Sequence, residues 1–261
     1  MTADDLPEAF GFRTGDRGTH SSRTMMLAEL AAALSAVPVD ATNVDYRRAI
    51  AEENVLGKKS AATRRLTAQR LSELYALSSD VPLFRNLRRL WPTAGSSRPV
   101  LALLCASARD PLVRLVAPAV LRVREGAPLS KDDLDAALAS AIPGRFNDSI
   151  RNKIARNAAS SFTQAGHISG RAKKARSRPR VTREAAAYAL FLGYLCGLRG
   201  PALFTTFWAS LLDRRPEEIL TLAEEASAAG LLSLKQAGPV VDVQFPGWLT
   251  PEEETLLHES H

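Results

Sequence analysis

The stretch LSKDDLDAALASAIPGRFNDSIRNKIARNAASSFTQAGHISGRAKKARSRPR, residues 129–180, decides the fold class predicted for this chain. Ser130, with Asp133 three residues later, is close to a capping box and predicts the start of one helix. After a Pro-Gly turn, Asn147 predicts the cap of a second helix, which Gly166 ends. The stretch therefore predicts two helices joined by a sharp turn.

The second of these helices has an apolar stripe and a polar, basic remainder. Apolar residues recur at spacings of four from Ile150 to Phe162, which predicts one face packed on a core. The basic segment that follows predicts an extended segment or a hairpin, with short strand ends near 167–168 and 179–181. Helix, turn, basic helix and basic hairpin is the order of a winged helix, whose second helix enters the major groove of DNA.

Positive charge is concentrated in two segments, although the net charge of the chain is only +6. Residues 145–183 contain eleven Lys and Arg against one acid, a net charge of +10. Residues 47–70 have a net charge of +5, whereas residues 184–261 have a net charge of −7. This distribution predicts a polyanionic partner. A flexible basic linker between two helical domains is the alternative for residues 145–183, and it would also contact phosphates.

A second helix–turn–helix pattern lies in the other basic segment. Asp45 predicts the cap of one helix, Gly57 a stop, and Ser60 the cap of the next helix. Short polar side chains and arginines near the start of that second helix are typical of a recognition helix. The alternative is a solvated basic helix face that packs on its neighbours.

The residues expected to contact DNA lie in these two units. They are Lys58, Lys59, Ser60, Thr63, Arg64, Arg70, Arg151, Lys153, Arg156, Asn157, Arg171, Lys173, Lys174, Arg176, Arg178 and Arg180. Most of these side chains are suited to phosphate contacts, which carry no sequence information directly. No DNA motif therefore follows from the sequence.

The whole chain predicts a mainly α fold with short β-hairpins. It has 261 residues, is rich in Ala and Leu, and has only 6% aromatic residues. We expect an N-terminal helical domain at 1–125 with a helix–turn–helix at about 45–77. We expect a C-terminal helical domain at 126–261 with winged-helix-like units at about 130–183 and 215–246. The last unit is acidic, which predicts packing or protein contact instead of DNA contact.

The chain ends and the most apolar stretch carry further expectations. Residues 1–20 predict a loose lead without a secretory signal, and residues 250–261 a frayed tail. The apolar stretch 185–212 is interrupted by Arg-Gly-Pro, and a membrane span needs about 20 apolar residues. We therefore expect two short buried helices and no membrane span. Cys105 and Cys196, without a CxxC motif, predict buried thiols in a reducing, cytoplasmic compartment.

The sequence contains no recognisable catalytic pattern. The motifs GxxxxGK[ST], GxGxxG, GxSxG and HExxH are not found. Paired acids occur at predicted helix starts, where the helix dipole accounts for them. His167, beside the basic hairpin, is expected to be a surface residue or a phosphate neighbour. We expect a protein without enzymatic activity, metal or cofactor.

The run ENVLGKKSAATRR, residues 53–65, resembles a pattern of the BrxA family. The pattern is an acidic residue followed by Asn-Val-Leu, a basic pair, Ser-x-x-Thr and further basic residues. The resemblance covers residues 1–80, including SSRTMMLAEL, and continues more loosely through 157–170 and YLCGLRG at 194–200. The basic tract at 171–183 and the acidic C-terminal part depart from the family.

The resemblance implies a small accessory protein of bacterial BREX phage-defence systems that is mostly helical and binds DNA. Such proteins are encoded beside a methyltransferase, an ATPase and a phosphatase-like component. Our leading hypothesis is therefore a non-enzymatic protein that binds double-stranded DNA. The alternative is an adaptor that assembles BREX subunits through its apolar and acidic C-terminal half. RNA binding is disfavoured because the basic segments lack the interleaved aromatic residues of a stacking platform.

Overall fold

A computed structural model of the chain describes residues 7–171, 173–238 and 240–259. It confirms the predicted class, which is mainly α with short β-hairpins. The helices in the described residues are α1 (Leu27–Ala36), α2 (Asn43–Ala51), α3 (Ala61–Tyr75), α4 (Pro82–Leu90), α5 (Arg98–Arg109), α6 (Pro111–Arg122), α7 (Lys131–Ala141), α8 (Asp148–Gln164), α9 (Arg183–Leu195), α10 (Phe207–Ser210), α11 (Pro216–Ala228) and α12 (Pro251–Glu259). The strands are β1 (Ile168–Ser169), β2 (Ala175–Arg176), β3 (Ser233–Ala237) and β4 (Val240–Gln244).

Side-chain caps begin three helices where the sequence predicts them. Ser60, Ser130 and Asn147 each accept a backbone N–H in the first turn of α3, α7 and α8. The start of α2 differs from the prediction, because Thr42 is its cap. Asp45, the predicted cap, instead closes a capping box by accepting the backbone N–H of Thr42 at 3.0 Å.

The N-terminal segment, residues 1–20, was predicted to be loose, but its described part contributes to the core. Phe10 and Phe12 are 1% and 2% exposed, so residues 7–20 are anchored by two aromatic side chains. The first α-helix, α1, begins at Leu27. Met26 precedes it with a φ of 52°, a left-handed conformation that an α-helix does not continue through.

The tail predicted to be frayed is also folded within the described residues. Leu257 of α12 is 1% exposed, and Glu253 forms an ion pair with Arg85 of α4. Trp248, just before α12, is buried, and its carbonyl accepts a hydrogen bond from the buried amide of Asn86 at 2.9 Å. These contacts hold the C-terminal segment against α4.

One cluster of buried hydrophobic residues joins the helices. α9 lies in its centre, with every residue from Glu184 to Leu195 buried, and α5 is buried from Val100 to Ala108. This cluster crosses the predicted boundary between residues 125 and 126 without interruption. Both cysteines are free and buried within it.

The most apolar stretch of the sequence folds as two helices joined by a turn. α9 is followed by a 3-10 turn at Gly200–Thr205 and by the short α10. In the part of the chain that the structure describes, no helix has the length and hydropathy needed to cross a membrane.

α6, α7, α8 and the first hairpin pack around one another. The strands of the hairpin pair as Ile168 with Arg176 and Ser169 with Ala175. The hairpin therefore closes several residues earlier than the predicted strand end at 179–181.

A third segment, residues 126–129, turns at Gly126 and then extends beside β2, where Pro128 forms an isolated bridge with Ala175. Its backbone bonds join Gly126 N to Arg176 O at 2.8 Å and Leu129 N to Lys174 O at 3.0 Å. In the reverse direction, Arg176 N donates to Ala127 O at 2.9 Å. The order of this unit is helix, extended segment, two helices and hairpin.

The C-terminal unit repeats a similar order. α9, α10 and α11 pack together and precede the predicted hairpin, in which Leu234 pairs with Val243 and Gln236 with Val241. A Cβ added at Gly200 would lie 3.1 Å from the carbonyl oxygen of Val241, so the 3-10 turn and β4 approach closely. This unit differs from the first in charge, as the exposed acids of α11 show.

Candidate nucleic-acid interface

α8 presents its first turns to solvent and its later turns to the core. Ile154, Ala158 and Phe162 are fully buried, as the stripe predicts. Ile150, the first residue of the predicted stripe, is instead 40% exposed. The helix thus enters the core only from its second turn, and the side chains of residues 149–153 remain accessible at its N-terminal end.

Arg151 joins α8 to α7 and is not free to meet a ligand. Its Nε lies 3.0 Å from each carboxylate oxygen of Asp135, and its terminal nitrogen lies 2.9 Å from Asp148. Two carboxylates therefore compensate its charge. Arg151 was predicted to contact DNA, but in the structure it links α7 to α8.

Asn157 also has a structural partner. Its side-chain amide donates to the carbonyl of His20 at 2.8 Å, which ties α8 to the N-terminal segment. Asn157 is therefore committed to an internal hydrogen bond, although it was predicted to contact DNA.

Arg176 is the predicted contact that the structure places furthest from solvent. Its side chain is 2% exposed and pairs with Asp213 at 2.9 Å. It also donates to the carbonyls of Val120 at 3.1 Å and His167 at 3.0 Å. Arg176 cannot reach a duplex, and the prediction of a surface contact at this residue is wrong. Its guanidinium thus adds to the backbone bonds that these two carbonyls already accept from Val123 and Ser177.

The rest of the basic tract projects from the hairpin. Lys174 donates to Thr163 at 3.0 Å, and Arg178 lies 3.5 Å from Glu125. The other cations of α8 and the tract are exposed and make no side-chain hydrogen bond or ion pair within the described residues. They are Lys153, Arg156, Arg171, Lys173 and Arg180.

The earlier helix–turn–helix pattern contributes fewer free cations. Lys58 pairs with Glu29 at 2.9 Å, Arg64 donates to the carbonyl of Ala51 at 2.9 Å, and Arg70 pairs with Glu73 at 2.7 Å. The remaining candidates of this unit, Lys59, Ser60 and Thr63, are exposed at the start of α3, and so is Arg65.

Arginine side chains at helix C-termini explain why the charge count overstated the surface charge. Arg109 donates to the last-turn carbonyls of α3 at Ser72 and Glu73, at 3.3 and 3.1 Å. Arg114 donates to Ser107 of α5 at 2.7 Å. The guanidinium satisfies carbonyls that a helix end leaves without partners and complements the helix dipole. The same contact to a helix C-terminus is made by Arg64, Arg88, Arg98, Arg176 and Arg199.

His20 lies in a buried line of polar side chains. Its Nδ1 is 2.7 Å from the carboxylate of Asp110, and its Nε2 is 2.8 Å from Ser161 Oγ. Ser161 Oγ also donates to Asn157 O and accepts from Met25 N. His20, Asp110 and Ser161 are at most 1% exposed, so a substrate has no access to them. The line joins the N-terminal segment to α6 and α8.

His167 is buried, and the prediction of a surface or phosphate-neighbour role is wrong. Its Nε2 donates to the carbonyl of Leu211 at 2.9 Å, and its ring packs on Phe162. Burial lowers the pKa of His167 to about 4, so the ring is neutral at pH 7.

No protein-family model and no curated protein matches this chain. Among the residues that the structure describes, no group of three or more His, Cys, Asp or Glu side chains is placed to hold a metal ion.

Proposed function

We propose that this protein binds double-stranded DNA, without enzymatic activity, through α8 and the hairpin β1–β2. The observation that supports the proposal most is the set of five exposed cations without internal partners in the described residues: Lys153, Arg156, Arg171, Lys173 and Arg180. They occupy one helix and the tract around the hairpin that follows it.

The arrangement of elements supports a winged-helix mode of binding. α6, the extended segment 126–129, α7, α8 and the hairpin follow one another in the order that such a module requires. In this mode the N-terminal turns of α8 lie in the major groove, and the hairpin follows the phosphate backbone. Exposed Ile150 would meet a thymine methyl group, and Lys153 a base edge or phosphate.

The start of α3 supplies a second, smaller contact surface in this proposal. Lys59, Thr63 and Arg65 are exposed there, whereas their neighbours Lys58, Arg64 and Arg70 are held by internal bonds. This surface accounts for a minor part of the affinity because it has two uncompensated cations, Lys59 and Arg65, against five in α8 and the tract around the hairpin.

The biological setting we propose is bacterial phage defence of the BREX type, in the cytoplasm. It rests on the resemblance of residues 53–65 to the BrxA pattern. The proposal of DNA binding does not depend on this setting, because it is supported by the exposed cations.

A matched pair of double variants tests DNA binding. Arg171→Ala with Lys173→Ala removes two exposed cations of the hairpin. Arg47→Ala with Lys235→Ala removes the same two residue types from exposed positions elsewhere. Fluorescence anisotropy with a labelled duplex, a single strand and an RNA measures affinity. We expect the hairpin variant to weaken duplex binding at least tenfold and the control to leave it within about twofold. Equal effects of the two variants would refute the assignment of the surface.

An assembly adaptor is the second candidate, and the acidic face of α11 favours it. Glu217, Glu224 and Glu225 are exposed on this helix, which occupies the place of a recognition helix in the C-terminal unit. Such a face repels DNA phosphates and attracts a basic protein surface. Charge reversal at these glutamates separates the candidates, because it would abolish subunit capture by an adaptor and leave duplex affinity at least as high as before.

A further inference from the structure

A cleft of about 280 Å³ opens between the N-terminal segment, α3 and the loop before α8. Three arginines line it, Arg13, Arg17 and Arg70, and Leu112 and Phe146 supply an apolar surface. These residues are distant in the sequence, so no local motif marks the cleft.

The carboxylates of the cleft are already engaged. Glu73 accepts hydrogen bonds from Arg70 at 2.7 Å and from Thr19 at 2.8 Å. Burial on its own would raise the pKa of Glu73, but the bonds from Arg70, Thr19 and Gln69 hold it below the ordinary value, so the group is ionised at neutral pH. The second carboxylate, Asp16, pairs with the rim residue Arg145 at 2.7 Å.

Positive charge exceeds negative charge in and around the cleft. Four arginines face two carboxylates, an excess of two positive charges: Arg13, Arg17, Arg70 and Arg145 against Asp16 and Glu73. A cleft with this excess attracts an anion.

Several guanidinium donors have no acceptor. Arg17 is exposed and forms no hydrogen bond or ion pair within the described ranges of the chain. The side chain of Arg13 makes one long bond, 3.4 Å, to the carbonyl of Glu73. Nε of Arg70 is buried and has no partner among the described residues. Buried donors normally have partners, so the Nε of Arg70 indicates a missing acceptor, and the donors of Arg17 are accessible to the same ligand.

We propose that this cleft binds the phosphate group of a small phosphorylated ligand of nucleotide size. The planar guanidinium offers paired N–H donors that match phosphate oxygens, and several arginines converge here. The volume is close to the lower limit of small-molecule pockets, about 300 Å³. Leu112 and Phe146 provide a surface for the apolar part of the ligand, and Arg145 lies over the Phe146 ring at 5.7 Å.

The ligand is distinct from the duplex of the proposed function. Arg13 and Arg17 belong to neither of the DNA-contact surfaces, and the duplex surface is formed by other cations. Because Arg70 also stabilises Glu73, the test uses Arg17, whose exposed side chain has no structural partner in the described residues.

The test measures binding of inorganic phosphate, AMP and adenosine by calorimetry and by the shift in Tm, with a labelled DNA duplex in a separate arm. We expect phosphate and AMP to bind and to raise Tm, and adenosine to bind more weakly than AMP. Arg17→Glu should weaken AMP binding at least tenfold, because a charge-assisted contact is lost and repulsion is introduced. Arg47→Glu, an equal charge change at an exposed position outside the cleft, should leave AMP affinity unchanged.

Three results would overturn the proposal. The first is failure of both phosphate and AMP to bind the full chain at millimolar concentration. The second is an equal loss of AMP binding in Arg17→Glu and Arg47→Glu, which would indicate a bulk charge effect. The third is a loss confined to duplex affinity in Arg17→Glu, which would assign the cleft to a backbone phosphate of DNA. Duplex binding that persists while AMP fails would refute the cleft and leave the proposed function standing.

Discussion

At the scale of single residues, arginine has two different roles in this protein. One group of arginines is exposed and free of internal partners in the described residues, as Arg171 is. Another group satisfies helix C-terminal carbonyls, as Arg109 and Arg114 do. The two groups have the same side chain, so a charge count along the sequence cannot separate them. Only the tertiary structure shows which carbonyl or carboxylate lies within reach.

Asp110 stabilises the fold through two oxygens with separate tasks. Oδ1 caps α6 by accepting from Leu112 N at 2.9 Å, and Oδ2 accepts from the backbone and the ring of His20 at 2.9 and 2.7 Å. Burial alone would raise the pKa of Asp110, but His20 and these hydrogen bonds hold it below 3.8. The charged form is therefore the one that the folded state favours.

Asp110→Asn should lower the free energy of unfolding at pH 7 by about 1.5–3 kcal/mol, because charged hydrogen bonds to His20 are lost. The folded-state pKa is depressed, so this stabilisation is present above pH 3.8 and is lost as the pH falls through the folded-state pKa. Urea unfolding at pH 7 and pH 3 measures it. The difference between wild type and variant should narrow at pH 3; a constant difference would contradict the lowered pKa of Asp110.

At the scale of elements, the hairpin combines a buried anchor with exposed cations. Arg176 fixes β2 to α6 and to Asp213, whereas Arg171 and Lys173 extend from the turn between the strands. A short hairpin of two paired residues per strand needs such an anchor to keep one position. Mutation of the anchor should therefore lower the stability of the fold, whereas mutation of the exposed cations should lower duplex affinity.

Arg176→Ala should lower the free energy of unfolding by about 3–5 kcal/mol, because the partly buried Asp213 carboxylate loses its close partner and keeps only the longer, 4.0 Å pair with Arg178. Arg171→Ala should change it by no more than about 0.5 kcal/mol, since its side chain is exposed. Chemical denaturation measures both. In Arg171→Ala, duplex affinity should fall although the variant is about as stable as the wild type. Equal stability of the two variants would contradict the description of the hairpin.

The sequence predicted elements where the signal is local. The caps Ser60, Ser130 and Asn147 and the second hairpin are confirmed because capping and turn chemistry depend on a few neighbouring residues. The order of the helices and the hairpin around α8 is also a local signal, and it is visible both in the sequence and in the structure. Whether this order amounts to a winged helix that binds DNA stays a prediction.

The elements that the sequence missed depend on distant contacts. α12 is held by Arg85 and by its own buried Leu257, neither of which a short polar tail reveals. The lead is held by isolated aromatic residues without periodicity. The cleft at Arg17 unites residues from the lead, α3 and the loop before α8, so its arginines appear unrelated in the sequence.

At the scale of the whole molecule, one core holds both predicted domains. The buried cluster runs from the N-terminal segment to α12, and α9 packs on both α4 and α5. Separate domains would each enclose their own core and share a smaller interface. The described residues instead share one continuous hydrophobic core.

This continuous core predicts a single cooperative unfolding transition. Trp91 reports on the N-terminal half, and Trp208 and Trp248 on the C-terminal half, and all three are buried. Tryptophan fluorescence and far-UV circular dichroism should give the same midpoint in urea. Replacing Trp91 with Phe leaves Trp208, whose ring contacts Phe12, and Trp248, whose carbonyl accepts from Asn86, as probes of the contacts between the two halves, and should not separate the curves. Two resolved transitions would support the boundary predicted between residues 125 and 126.

The dependence of duplex affinity on salt tests the central claim most directly. If the five exposed cations of α8 and the hairpin tract each neutralise a phosphate, log K against log salt concentration should have a slope of about −4.5. Arg171→Ala with Lys173→Ala should reduce the magnitude of the slope by about 2. A duplex affinity that is flat with salt, or a slope unchanged in the double variant, would contradict the claim that this surface binds DNA.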